Sequence, residues 1–193
     1  MSTASMLRVA GFTRHQGVLV LLVLSAAINL ALATKVRSAN GRPPARLTAG
    51  TPATPFSGVS LDGHTLNVDF KHGRPTVLYY FSPACGWCER NWANVKSLME
   101  RRAADYRFIG VSTSADDAAL AVARGLNLEV VTGLSGTAME NYHFSGTPQT
   151  VVISSVGRVL KSWDGAFAGR IAREVEAFFD MKLPGLSSPR KKS

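Results

Sequence analysis

The chain has 193 residues, 46% hydrophobic and 18% charged, with a formal net charge of +9. That length accommodates one domain with a real core plus extensions. Residues 55–183 balance 13 Lys+Arg against 13 Asp+Glu, and the excess is Arg8, Arg14, Lys35, Arg37, Arg42, Arg46, Arg190, Lys191 and Lys192, all in the tails. A basic folded surface that tracks phosphates is therefore not supported, and no nucleic-acid partner is expected.

Residues 1–16 form a short basic N-terminal tail. Gly17 to Ala33 is an uncharged apolar run with Ser25 and Asn29 as its main polar members. Its length is at the short end for a spanning helix, and Ala31-Leu32-Ala33 also reads as a signal-peptidase site. The segment 17–33 is thus a transmembrane anchor or a signal sequence, and a cleaved, secreted form stays open. The C-terminal flank carries more Lys and Arg, which taken literally favours a cytoplasmic domain. The short basic N-terminal tail favours export, and a membrane-tethered domain on the periplasmic side is the expectation. Basic flanks of this kind suit lipid head groups. Residues 34–54, rich in Pro, Gly, Thr, Ala and Arg, read as a flexible linker.

The folded domain is expected over 55–183. Val59, Leu61, Leu66 and Val68 flank Asp62-Gly63 in a hairpin pattern. Thr76 to Phe81 is a β-branched and aromatic strand, apolar at successive positions, so both its faces should be covered. A helix is expected from near Cys85 to about Ala104, with Trp92, Val95, Leu98 and Met99 on one face. A strand at Tyr106–Val111 and a helix at Asp116–Arg124 follow, with Ser114 or Asp116 as its cap. A short helix around Gly136–Tyr142 precedes Thr147-Pro148. Strands at Gln149–Ser154 and Arg158–Asp164 meet at a turn containing Gly157, and Arg170–Met181 is a last amphipathic helix. This order gives an α/β fold with a mixed central sheet and helices on both faces. Residues 184–193 read as a disordered basic tail.

The only cysteines stand together as Cys85-Gly86-Trp87-Cys88, at the junction of the Thr76–Phe81 strand and the next helix. Closing so short a loop constrains little of the chain, so redox exchange suits the pair better than stapling. Cys85 falls at a helix N-terminus, where unpaired N–H groups and the dipole stabilise a thiolate. Cys88, one turn inside, should be more covered. Cys85 is thus the expected nucleophile and Cys88 the resolving cysteine. Competing readings are two inert buried thiols, a zinc site completed by His64 and His72, and a peroxidatic cysteine. For the last, Ser82 lies three residues before Cys85, but Leu78 stands where a proline would be wanted. A non-catalytic binding module is a further alternative.

The Thr76–Phe81 strand, the CxxC and the later Thr147-Pro148 resemble the thioredoxin fold over about Phe56–Phe179. The extra βα unit Tyr106–Arg124, the hairpin and the apolar segment make the chain similar to the TlpA/ResA-like branch of membrane-anchored thiol-disulfide oxidoreductases. The resemblance implies a cis Pro148 beside the disulfide and a Thr147 backbone that pairs with a substrate strand. Trp87 reads either as a docking ring beside the disulfide or as a surface aromatic at a helix start. The resemblance implies protein thiol or disulfide substrates, a membrane dithiol electron donor, and the reducing direction, as in cytochrome c maturation or another extracytoplasmic thiol-reduction pathway. The redox-active Cys85–Cys88 disulfide takes the place of a cofactor, and no metal is expected. Several positions depart from the pattern. Ala84 replaces a Trp, Gly86-Trp87 lacks the usual Pro, and Tyr79 stands where a buried acid is usual. Asp116 is a candidate proton acceptor for Cys88, with helix capping the preferred reading.

Overall fold

The computed structural model describes residues 14–40, 47–71 and 73–188. The chain divides into two units, residues 1–45 and residues 46–193. In the first, helix α1 runs Arg14–Asn40. Its stretch His15–Lys35 is long and apolar enough to cross a membrane. Twenty-one residues at about 1.5 Å each reach roughly 32 Å, the thickness of a bilayer core. Val18, Leu21, Leu24, Ile28 and Leu30 are all exposed. The apolar surface goes right round the helix, unlike the one-sided stripe of a helix packed on a soluble core. The helix also runs past Ala33 into the first part of the expected linker.

In the second unit, seven strands among the described residues form one sheet, ordered β2-β1-β5-β4-β3-β6-β7. These are β1 (Phe56–Ser60), β2 (Thr65–Val68), β3 (Thr76–Phe81), β4 (Arg107–Ser112), β5 (Glu129–Thr132), β6 (Gln149–Ile153) and β7 (Val159–Asp164). β3, β4 and β5 are parallel neighbours; the other pairings are antiparallel. Helices α2 (Gly86–Arg102), α3 (Asp117–Leu126), α4 (Gly136–Asn141) and α5 (Gly169–Phe179) complete the domain. It is the thioredoxin-like α/β architecture with an N-terminal hairpin.

β3 is buried at all six positions, as its unbroken apolar pattern requires. Side chains alternate across a strand, so Val77, Tyr79 and Phe81 enter one core layer with Val95 and Leu98 of α2 and Val175 and Phe179 of α5. Leu78 and Tyr80 enter the other, with Val111, Val151, Tyr142 and Phe144.

β5 is the one strand absent from the sequence reading. Four residues give too little alternation to stand out, although Val130-Val131-Thr132 is a β-branched run. It joins the hairpin to the sheet through Val59↔Thr132 and Ser60↔Val131. That pairing brings β1 so close that a Cβ on Gly58 would lie 2.5 Å from Val131 Cγ2 and 2.6 Å from the Thr132 carbonyl.

Two stretches assigned to mobile flanks differ from that expectation. Within 34–54, Leu47 is buried, Gly50 and Ala53 donate N–H bonds to the Val159 and Gly157 carbonyls, both at 2.8 Å, and Tyr142 Oη donates to the Thr54 carbonyl at 2.6 Å. Of the 184–193 tail, Gly185 and Ser187 are bonded to α2 as a strap; residues 189–193 lie outside the described residues. Hydrogen bonds made by backbone atoms leave no trace in composition, which is why both stretches read as free chain.

Candidate active site

The site forms where β3 ends. Phe81 closes the buried strand, Ser82-Pro83-Ala84 turn the chain, and Cys85 begins α2 as its N-cap with extended φ/ψ of −84° and 112°. Cys85 N–H donates to the Ser82 carbonyl at 3.1 Å, and the Cys85 carbonyl accepts the Glu89 N–H at 3.0 Å. A serine or aspartate oxygen usually caps a helix; here Cys85 Sγ accepts the Cys88 N–H at 3.3 Å. The sulfur thus fills a position that favours negative charge.

Cys85 and Cys88 are both free thiols, the first half-buried and the second fully buried. Burial pushes the Cys85 thiol up, but hydrogen bonding with Thr147, with Cys88 and with the Trp87 and Cys88 backbone outweighs it. The Cys85 thiol therefore sits below its ordinary value. Burial first, and then the hydrogen bond and charge of Cys85, push Cys88 up to about 12. Cys85 is thus the more acidic thiol of the two, and Cys88 the one that holds its proton more firmly.

Thr147-Pro148 faces the pair from the loop before β6. The Thr147–Pro148 peptide is cis, and Cys85 Sγ–H donates to the Thr147 carbonyl at 3.4 Å. Pro148 is buried and Thr147 half-buried. Trp87 is 54% exposed, with the Arg90 guanidinium 4.7 Å from its ring centre. Cys85, Cys88 and Thr147 are thus brought into contact, while Trp87 stands beside them on the solvent side.

Asp116 caps α3, its carboxylate accepting the Ala119 N–H at 2.9 Å, which is the capping reading. His64 lies beside Asp62 on the β1–β2 turn, 3.9 Å away, both exposed; His72 falls outside the described residues. Among the described residues no three His, Cys, Asp or Glu side chains gather as a metal-holding group.

Sequence reasoning missed a buried polar chain behind the pair. Asn91 and Asn94 are fully buried on the inner face of α2. Asn91 Oδ1 accepts the Phe167 N–H at 3.0 Å, and Asn91 Nδ2 donates to Tyr79 Oη at 3.2 Å. Asn94 Nδ2 donates to Asn91 Oδ1 at 3.0 Å, and its Oδ1 accepts the Gly185 N–H at 2.8 Å. The available signal was their spacing: Cys88, Asn91, Val95 and Leu98 share one helical face.

No family model and no curated protein matches the chain. Solved structures do, at identities that speak to the fold. The thioredoxin domain of a thiol-disulfide oxidoreductase from Bacteroides vulgatus aligns with a TM-score of 0.56 and 19% identity, over 69% of this chain and 99% of that one. A secreted Mycobacterium tuberculosis disulfide oxidoreductase, described as homologous to E. coli DsbE, aligns with a TM-score of 0.54 and 20% identity, over 65% and 94%. A thiol:disulfide interchange protein from Bacteroides sp. gives 0.55 and 19%, over 69% and 91%. The chain has the thioredoxin fold that these thiol-disulfide enzymes share.

Proposed function

We propose that this protein is a thiol-disulfide oxidoreductase, tethered to or exported across a membrane by α1, that reduces protein disulfides with Cys85 and Cys88. The observation that carries the reading is the asymmetry of the two thiols: a half-buried Cys85 whose Sγ caps a helix N-terminus, accepting the Cys88 N–H at 3.3 Å, and a fully buried Cys88 one turn inside.

The Cys85 thiolate attacks one sulfur of a substrate disulfide. A Cys85–substrate S–S bond forms, the substrate S–S bond breaks, and the released thiolate takes up a proton. Cys88 then loses its proton and attacks Cys85 Sγ. The mixed disulfide breaks, the second substrate thiol leaves protonated, and the enzyme is left with a Cys85–Cys88 disulfide. The substrate gains two electrons and two protons. A membrane dithiol protein restores the pair by the same exchange in reverse. Thr147 and Pro148 flank Cys85 as the substrate-strand ledge, and Trp87 offers an exposed ring at its edge.

Cys88→Ser should accumulate mixed disulfides with protein substrates, while Cys85→Ser should abolish disulfide reduction. Peroxide reduction by Cys85 alone, with no trapped adduct, would move the assignment to a thiol peroxidase. Stoichiometric zinc that blocks thiol labelling would move it to a binding module. The direction rests on the potential of the pair. A value near −270 mV, about that of thioredoxin, supports reduction, and one near about −120 mV reverses it.

A further inference from the structure

The strap climbs α2 towards the redox pair. Leu183 N–H donates to Glu176 Oε1 at 3.0 Å as the chain leaves α5. Gly185 N–H then meets Asn94 Oδ1 at 2.8 Å, and Ser187 N–H meets the Arg90 carbonyl at 2.9 Å, one turn nearer the start of the helix. Gly185 makes the crossing with a φ of +97°, which glycine adopts without a Cβ penalty. At Ser187 the bond is returned: Arg90 Nε donates to the Ser187 carbonyl at 3.1 Å. The same guanidinium lies 4.7 Å from the centre of the Trp87 ring. Residues three apart on a helix are surface neighbours. Arg90 is thus seated between the strap and the ring of the residue that precedes Cys88. The bond to the strap uses Nε and leaves the Nη1–Nη2 edge, which can grip a carboxylate through two parallel hydrogen bonds. Among the described residues no carboxylate forms an ion pair with Arg90. Glu89, its neighbour in the chain, lines the groove between α2 and α3 with Pro83, Trp92 and Lys96.

Resting on the oxidoreductase reading, we propose that Arg90 determines specificity: seated by the strap against Trp87, its guanidinium takes a carboxylate next to the disulfide of the protein substrate. The preferred substrates then carry Asp or Glu beside the cysteine that Cys85 attacks. Two local features favour an anion there. The start of α2 adds the positive end of its helix dipole. The indole ring takes water from one face of the guanidinium, which strengthens its pairing with an opposite charge. The rest of the folded domain does not supply this preference, because residues 55–183 balance 13 Lys+Arg against 13 Asp+Glu. The strap contributes geometry rather than charge. A guanidinium already held at Nε and against a ring has less freedom to lose when it binds.

The test uses the full chain carrying Cys88→Ser, in detergent, so that Cys85 is the only thiol. The probes are two synthetic disulfide peptides, identical except that Glu or Gln flanks the cysteines. Each is supplied in excess, and the rate of mixed-disulfide formation is read by mass spectrometry of quenched samples. Adding Arg90→Gln should lower the Glu-to-Gln rate ratio by about threefold or more, the scale of one exposed ion pair. The rate with the Gln peptide should stay within about twofold. Burial, and then bonding with Thr147, Cys88 and Trp87, chiefly set the Cys85 thiol, and Arg90 is not among these groups. Lys96→Gln removes the same charge further along α2 and should leave the ratio within about 1.5-fold. Arg90→Lys keeps the charge but not the planar fork, and should recover only part of the loss; it carries the test by itself should Arg90→Gln not fold. A ratio unmoved by Arg90→Gln, an equal fall with Lys96→Gln, or an Arg90→Lys chain indistinguishable from Arg90 overturns the proposal. The ratio needs only a reactive thiol and no turnover, so its failure is distinct from a failure of the protein to reduce disulfides.

Discussion

Replacing Asn91 by alanine tests whether the buried amide chain holds α2, and with it the cysteines, on the sheet. The wild-type side chain accepts from Phe167 N–H at 3.0 Å and from Asn94 Nδ2 at 3.0 Å, and donates to Tyr79 Oη at 3.2 Å. Alanine leaves the Phe167 N–H without its acceptor in a fully buried place, which costs about 1–3 kcal/mol. Asn94 keeps part of its satisfaction through the Phe167 carbonyl at 3.4 Å, so its share is small. The missing volume adds a cavity contribution. The expected total is about 3 kcal/mol, or roughly 6–12 °C in Tm for a domain of this size. The assay is calorimetry of the reduced full-length chain in detergent. Lys96→Ala is the control. It is exposed on the same helix and makes only a 4.0 Å pair with Glu100, worth at most about 0.5 kcal/mol. A loss below about 1 kcal/mol for Asn91→Ala, or one equal to the control, would refute the reasoning.

Alkylation of the reduced protein should show one fast thiol, Cys85. Its reactive thiolate is present above a midpoint lower than an ordinary thiol's and is lost as pH falls through it; two thiols titrating together would count against this. Cys88 stays protonated in the fold up to about 12, whereas the unfolded chain ionises near about 8.5. Its contribution to stability is full below the unfolded value and disappears as pH rises towards 12, so alkaline denaturation curves of the reduced wild type should fall more steeply than those of Cys88→Ala. Trp87→Ala, at an exposed site, should leave Tm within about 2 °C yet lower kcat/KM for protein disulfides; an unchanged kcat/KM removes Trp87 from the docking surface. Gly58→Ala places a methyl group 2.5 Å from Val131 Cγ2 and should cost about 1–3 kcal/mol as β1 is pushed from β5, read by urea unfolding.

The parts of the fold readable in the sequence were those with a periodic or local chemical signature. Thr76–Phe81 announced a doubly covered strand because each of its neighbours along the chain is apolar. The helix after Cys85 announced its buried face through Trp92, Val95 and Leu98. The docked segments 47–54 and 184–188 were not readable in this way, because backbone groups, common to every residue type, make their hydrogen bonds.

The sequence by itself determined the candidate groups: a CxxC at a strand–helix junction, a Thr-Pro loop, and an apolar segment ahead of a charge-neutral domain. Spacing along one helix already made Cys85 and Cys88 unequal, since one falls at the N-terminus and the other a turn inside. Only the tertiary structure brought Thr147 to the sulfur of Cys85 across 62 residues and Gly185 to Asn94 across 91. Such contacts depend on how the sheet orders its strands, which no local pattern encodes. The same packing makes Tyr79, a strand aromatic, a buried hydroxyl that accepts from Asn91 Nδ2.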